Sequence, residues 1–253
     1  MKKVAAITFG CRVNQYETTC VVNDFIRTGY QFVNFNEPAD VYVINTCSVT
    51  NRTDYKSRNA IRKALLYKKK NPDIKIVVTG CYSQIKYEEV RKMGDIDLIV
   101  DNNKKGNITE FILGSIYSRY GYSTQHSLHL NADKFEDILD ATEFAEISFS
   151  SMINKTRAYI KVQDGCDFYC AYCIVPYGRG SPRSRGKVNI LNQIRQLVKN
   201  GYKEFVIGGI NLGLYGREKN DGYFLSNLLA DIEEIEGVKI IRLSSLEPQL
   251  FTE

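Results

Sequence analysis

The chain has 253 residues, 43% of them hydrophobic and 25% charged. These are values of an ordinary globular protein long enough for two domains, which excludes a disordered or fibrous chain. A formal net charge of +5 is compatible with a polyanionic partner without establishing one.

The opening "MKKVAAITFGCRVNQ" carries two lysines, but its apolar run stops at Phe9 with no small-residue cleavage site. No later stretch has the apolar length of a membrane span, so a cytoplasmic protein with no membrane contact is expected. In chain order, the apolar β-branched runs "VAAITF", "VYVIN", "KIVVT" and "IDLIV" alternate with segments of helical spacing, "YETTCVVNDFIRTGY", "YKSRNAIRKALLYKKK" and "IKYEEVRKM". Strand then helix, repeated, predicts an α/β domain over residues 1–125, a doubly wound parallel sheet with helices on both faces.

Residues 126–150 carry Asp133, Glu136, Asp137, Asp140, Glu143 and Glu146 with no strong period, and read as a linker or docking segment with a solvated acidic face. From residue 151 the alternation resumes: "RAYIKVQ", a cysteine-rich loop, a helix near "ILNQIRQLVKNGY", "EFVIGG", a helix near "FLSNLLADIEEIEG", and "VKIIRLSS". Three strands of a parallel βα array cannot close a barrel, so residues 151–253 are expected to form a partial barrel with an open edge, and the sequence reads as a fragment.

Seven cysteines, an odd number without a secretory signal, argue against a disulfide framework and for metal or redox use. Cys11, Cys47 and Cys81 lie just beyond the first, second and third strand runs. Loops after the strands of a doubly wound sheet gather along one edge, so the three can converge on a metal centre. Three buried small hydrophobes, the alternative, would lie inside strands or on helix faces. The fourth strand ends at Asp101 and supplies no cysteine. Cys20, beside Val21, Val22 and Phe25, reads as core.

In "QDGCDFYCAYC", Cys166, Cys170 and Cys173 follow a strand at the end where βα barrels keep their active sites. Thiolates suit zinc or an iron-sulfur cluster. Structural zinc takes four ligands, and no fourth Cys or His lies nearby, whereas three thiolates on a four-iron cluster leave one iron open. His126 and His129 are not read as ligands, because the two cysteine sets already supply the soft donors.

The spacing of Cys166, Cys170 and Cys173, and the form "GCDFYCAYCIVPYGRGSPRSR", resemble the radical S-adenosylmethionine (SAM) methylthiotransferases. The similarity extends through "TFGCRVNQYET", "INTCSVTNRTDYKSR", "VTGCYSQ", "GGINLGLYG" and "RLSSLEP", and is greatest to the branch acting on N6-threonylcarbamoyladenosine in tRNA. The resemblance implies a 4Fe-4S cluster on Cys166, Cys170 and Cys173 that binds SAM and releases a 5′-deoxyadenosyl radical. It implies a second 4Fe-4S cluster on Cys11, Cys47 and Cys81 that carries the sulfur to be inserted. A radical is the fitting reagent for an unactivated aromatic C–H bond, which offers no acid or base handle.

The same resemblance implies tRNA as partner, an electron donor such as flavodoxin or ferredoxin, a sulfur source, and a monomer. Gly208 and Gly209 match the glycine-rich element that approaches the SAM amino group, with a plain turn as the alternative; the usual acidic or small residue after this pair is Ile210 here. Arg185, Ser244 and Glu247 are candidates for the cofactor's carboxylate and ribose, with ion pairing as the alternative for the charged ones. The basic run Arg52, Lys56, Arg58, Arg62, Lys63, Lys68, Lys69 and Lys70 reads as a solvated helix face or as a contact to the tRNA backbone. Isopentenyladenosine in tRNA, a ribosomal-protein aspartate, or a non-enzymatic iron-sulfur or zinc RNA-binding role remain alternatives.

Overall fold

A computed structural model of the chain describes residues 1–119, 135–149 and 156–250. The chain divides into two compact units, Met1–Ile138 and Leu139–Glu253. No helix among the described residues is long and apolar enough to cross a membrane.

The first unit runs β1 (Lys3–Thr8), α1 (Arg12–Arg27), β2 (Gln31–Val33), β3 (Val41–Thr46), α2 (Asn51–Lys70), β4 (Lys75–Gly80), α3 (Cys81–Ile85), α4 (Tyr87–Arg91), β5 (Leu98–Val100) and α5 (Ile108–Arg119). The strands form one parallel sheet in the order β2-β1-β3-β4-β5. Val41 opposes Val4 on one side and Lys75 on the other. Every residue of β3 is buried, as a central strand covered on both faces requires.

The period-2 alternation divides the sheet between two cores. Tyr42, Ile44, Ile76 and Val78 pack with Ala60, Ile61 and Ala64 of α2. Val41, Val43 and Val77 pack on the opposite face with Val21 and Phe25 of α1 and Ile108 and Ile112 of α5. In α2 the buried positions Ser57, Ala60, Ile61, Ala64 and Lys68 recur every three to four residues and make one inward stripe. Thr50 starts this helix by accepting from the Thr53 backbone N–H, a capping box.

Three local features depart from the reading of the sequence. β2 is a three-residue edge strand, too short for a periodic signal. The segment "IKYEEVRKM" is interrupted at Lys86, whose ψ of 39° ends α3 before α4 begins. α5 completes the cover of one face.

The second unit contains β6 (Ala158–Lys161), β7 (Gln163–Asp164), α6 (Val175–Arg179), β8 (Arg183–Ser184), α7 (Lys187–Lys199), β9 (Glu204–Gly208), α8 (Leu225–Glu233) and β10 (Ile240–Leu243). β10, β9 and β6 form a parallel sheet in that order, and β7 pairs antiparallel with β8. The sheet is lined by buried Ala158, Ile160, Phe205 and Ile207, and α7 turns Ile190, Ile194 and Leu197 inward. Among the described residues β10 pairs only with β9, and Ile240 and Leu243 are exposed along it. A partial βα barrel follows the parallel-sheet domain.

Residues 135–149 keep Glu136, Asp137, Asp140, Glu143 and Glu146 exposed, as the acidic face requires, while other contacts tie the segment down. Within the first unit, Phe135 packs on Tyr87 with ring centroids 4.5 Å apart, and Glu136 pairs with Lys104 at 2.6 Å. Within the second, Ile147 and Phe149 are buried and Glu146 pairs with Arg185. Asp133, His126 and His129 lie outside the described residues.

Candidate metal centres

The sheet order places a switch point between β1 and β3: the chain leaves β1 toward α1 on one face and β3 toward α2 on the other. Diverging connections leave a crevice at the strand exits, where ligands of such sheets bind. Cys11 is the N-cap of α1, Cys47 directly follows β3, and Cys81 opens α3 directly after β4. Cys11 is exposed while Cys47 and Cys81 are buried.

Burial pushes the Cys47 thiol up; the Val49 backbone N–H and the Thr53 side chain oppose the rise, while Cys81 and Cys11 add to it. Thr46 pairs with Gly80, so Cys47 and Cys81 leave adjacent strand ends. A Cβ at Gly10 would stand 2.5 Å from Cys47 Sγ, so the loop before Cys11 passes directly over the second cysteine. No three His, Cys, Asp or Glu side chains among the described residues are grouped as a metal-ion site. Iron-sulfur ligation spaces thiolates around a cluster rather than around one ion, and soft thiols on converging loops suit that use.

A ladder of side chains holds the four strand exits in step. Asn14 Nδ2 donates to Phe9 O at 2.8 Å and to Thr46 O at 2.9 Å, tying the exits of β1 and β3. Thr46 Oγ1 donates to Thr79 O at 2.6 Å, and Thr79 Oγ1 donates to Val100 O at 2.8 Å. The ladder therefore runs from the exit of β1 to that of β5. Beneath it, Lys105 is ion-paired with Glu17, both fully buried, and its Nζ donates to Asn45 Oδ1 at 3.3 Å. None of these residues stands out in the sequence, because each is an isolated polar residue whose partner lies on another element.

In the second unit, the loop after β7 carries Cys166, Cys170 and Cys173. Cys166 N–H donates to Gly180 O at 3.0 Å and Cys173 N–H to Cys170 O at 2.8 Å, which folds the loop into a tight turn. Cys170 is exposed and the other two are half-buried, and Tyr172 is 92% exposed, so the loop presents its thiols at an open surface. Below it, the Asp164 carboxylate accepts from Lys161 Nζ at 2.6 Å and Arg179 Nη1 at 3.3 Å, and from Gly165 N–H at 2.9 Å. Lys161, Arg179 and Arg183 are all buried around this one carboxylate, two residues before Cys166 in the chain.

The remaining sequence candidates fall in different places. Gly208 ends β9; Cβ atoms there and on Gly209 would stand 2.1 Å from Tyr159 Oη and 2.8 Å from Gln163 Cβ. Packing against β6 and β7 is thus a reason of its own for the glycine pair. Arg185 is 1% exposed, held by the Glu146 carboxylate, with a hydrogen bond from Nε at 2.8 Å and another from Nη1 to Gln193. Its guanidinium is engaged within the protein, in a pair whose cation is buried and whose carboxylate reaches the surface. Ser244 follows β10; its N–H donates to Ile207 O at 2.9 Å, and its Oγ is buried without a partner among the described residues. Glu247 is exposed on a cavity of about 630 Å³ that Tyr215, Phe224 and Leu243 also line and that no cysteine reaches.

Comparison with known proteins matches residues 3–101 to the uncharacterized protein family UPF0004 and residues 160–246 to the radical SAM superfamily. The chain is 39% identical to threonylcarbamoyladenosine tRNA methylthiotransferase MtaB of Bacillus subtilis (strain 168), over 100% of this chain and 53% of that protein. It is 33% identical to ribosomal protein uS12 methylthiotransferase RimO of Desulfitobacterium hafniense (strain Y51), over 100% of this chain and 54% of that protein. The chain thus spans about half the length of the curated relatives it matches. The structure of the radical SAM methyltransferase TsrM from Kitasatospora setae is similar in fold, with a TM-score of 0.55 at 12% identity, covering 98% of this chain and 60% of that one. A UPF0004 region is thus followed by a radical SAM region, and similarity to methylthiotransferases runs along the whole chain.

Proposed function

We propose that the chain belongs to an enzyme that inserts a methylthio group at C2 of N6-threonylcarbamoyladenosine in tRNA. The observation that carries the reading is the pair of three-cysteine sets, one at the strand exits of each unit, each one ligand short of a closed four-ligand shell. Cys166, Cys170 and Cys173 would hold a 4Fe-4S cluster that binds SAM, and Cys11, Cys47 and Cys81 a second such cluster. When bound, SAM and the clusters supply one-electron chemistry and sulfur; the chain supplies the thiolates and their spacing.

Asp164, paired with buried Lys161, Arg179 and Arg183, fixes the start of the loop that carries Cys166. The Asn14 and Thr46 ladder keeps Cys11, Cys47 and Cys81 in register. Gly208, Gly209, Ser244 and Glu247 remain candidate SAM contacts at the exits of β9 and β10, whereas the Arg185 guanidinium is held by Glu146 and Gln193. The threonylcarbamoyladenosine substrate is favoured by the higher identity to the MtaB relative than to the RimO relative. tRNA, a reductant of the flavodoxin or ferredoxin kind and a sulfur donor are the partners this chemistry requires.

Anaerobic reconstitution tests the chemistry: about eight irons per chain is expected, with SAM cleaved under reductant. A chain that takes up only zinc would sink it. Mass spectrometry of tRNA nucleosides from cells lacking the protein tests the substrate. Loss of methylthiolated threonylcarbamoyladenosine is expected, and loss of methylthiolated isopentenyladenosine or of the ribosomal-protein modification instead would reassign it.

A further inference from the structure

The two cysteine sets share a device built from residues that are not ligands. In the first unit, Asn102 Nδ2 donates to Cys81 Sγ at 3.9 Å, and the backbone N–H of Asn102 donates to Gln84 Oε1 at 2.8 Å. In the second, Asn211 Nδ2 donates to Cys166 Sγ at 3.7 Å, and the backbone N–H of Asn211 donates to Gln163 Oε1 at 2.8 Å. Each asparagine follows a neighbouring strand, β5 or β9, and each glutamine lies three residues from its cysteine. Asn102 and Asn211 are 3% and 6% exposed, so water competes little for either amide.

We propose that Asn102 and Asn211 are redox-positioning residues, each setting the reduction potential of one cluster through an N–H···S hydrogen bond to a ligand sulfur. The inference rests on the proposed function, which puts clusters on these thiolates. The physical argument is electrostatic. Reduction adds one electron to the cluster, and a donor aimed at a ligand sulfur stabilises the more negative state more than the oxidised one. The glutamine makes the donor directional. Gln163 Nε2 donates to Asp164 O at 2.8 Å and Gly165 O at 2.7 Å, so one side chain fixes both the start of the cysteine turn and the asparagine that faces it. Gln84 Nε2 donates in turn to Glu136 O at 3.3 Å. Nothing in the sequence singles out Asn102, because the fourth strand exit lacks a cysteine; the structure places at that exit a donor to the cysteine of the third.

An EPR-monitored redox titration of the anaerobically reconstituted full chain tests the proposal, with one cysteine set replaced by alanine so that the signal belongs to one cluster. In the chain retaining Cys166, Cys170 and Cys173, Asn211→Leu removes the donor at similar size and Asn211→Asp replaces it with a carboxylate. Both are expected to load iron as the unsubstituted chain does. The potential should shift to more negative values in the order Asn, Leu, Asp, with a several-fold smaller reduced fraction at a fixed applied potential. Asn102→Leu and Asn102→Asp should do the same in the chain retaining Cys11, Cys47 and Cys81.

Unchanged potentials in iron-loaded variants overturn the inference. So does loss of iron from both variants at a position, which would make the asparagine a holder of the cluster rather than a tuner of it. Absence of iron from the unsubstituted chain is seen before any asparagine is changed, and overturns the proposed function and this inference together.

Discussion

Gly10 lies against Cys47: a methyl group added at Gly10 would come within 2.5 Å of the Cys47 sulfur and 2.7 Å of its Cβ. Gly10 also has φ +90°, a conformation that L side chains rarely adopt. Gly10→Ala is therefore expected to push the Cys47 thiol out of place. Iron per reconstituted chain should fall to about half, since only the first set is touched. Full iron content in a folded variant would show that the loop yields without cost to the site.

Glu146 anchors the fully buried guanidinium of Arg185. Removing a carboxylate from such a pair leaves a buried cation undercompensated, since the Gln193 Oε1 acceptor is neutral. Because Glu146 is itself partly exposed, the penalty is discounted to about 1–3 kcal/mol. Glu146→Ala should lower the urea midpoint at neutral pH accordingly. An unchanged midpoint would mean that water reaches Arg185.

Tyr42 sets an alkaline limit on the first unit. Burial raises its phenol above the ordinary value; the Ala39 backbone N–H opposes the rise, and Tyr67 and Asp40 add to it. The folded state thus prefers the neutral phenol, so this contribution is complete below about pH 10 and is lost as pH climbs through the raised folded value. Tyr42→Phe removes a donor to Glu37 O at 2.7 Å and should cost about 1 kcal/mol near neutrality. It should also flatten the decline of stability above about pH 10, read from urea midpoints. Parallel declines in the two proteins would assign the alkaline limit elsewhere.

Arg52 and Lys56 are exposed on the first turns of α2, the helix that follows Cys47. Lys69 and Lys70 are exposed at its other end, about 25 Å away along the axis. If the cysteine end meets tRNA, Arg52→Gln with Lys56→Gln should weaken binding and reduce the salt slope by about 1 for each phosphate no longer neutralised. Lys69→Gln with Lys70→Gln should change little. Equal effects from the two pairs would point to a diffuse charge effect in place of a direct phosphate interaction.

Among these residues, Lys68 shows where a charge run misleads. It belongs to the same basic stretch, yet it is buried and pairs with Asp97 at 2.6 Å and Asp95 at 3.0 Å. Lys63 reaches Asn36 at 2.6 Å, and Arg58 donates to the Tyr82 hydroxyl. Composition sees eight cations in a row; helical geometry distributes them around an axis, and only some face solvent.

The four main strands and the helices between them were legible because each carries its own periodic signal, alternation for strands and a three-to-four residue stripe for α1, α2 and α7. The strand-exit positions of Cys11, Cys47 and Cys81 followed from those boundaries alone. The short edge strand β2, the break at Lys86 and the anchoring of residues 135–149 were not legible, since each depends on a partner distant in sequence.

What the sequence by itself determined is the alternation, the placement of cysteines at strand ends and the three-then-two spacing of Cys166, Cys170 and Cys173. Local spacing dictates local geometry, and these are local facts. Only the tertiary structure decided that β1 and β3 are neighbours with diverging connections. It also decided that Arg185 is occupied by Glu146, and that Asn102 and Asn211 each reach a cysteine sulfur from beyond another strand. The side-chain pairs among these lie 21, 39 and 45 positions apart in the chain, and they exist only once parallel pairing has brought separate strand exits to one edge.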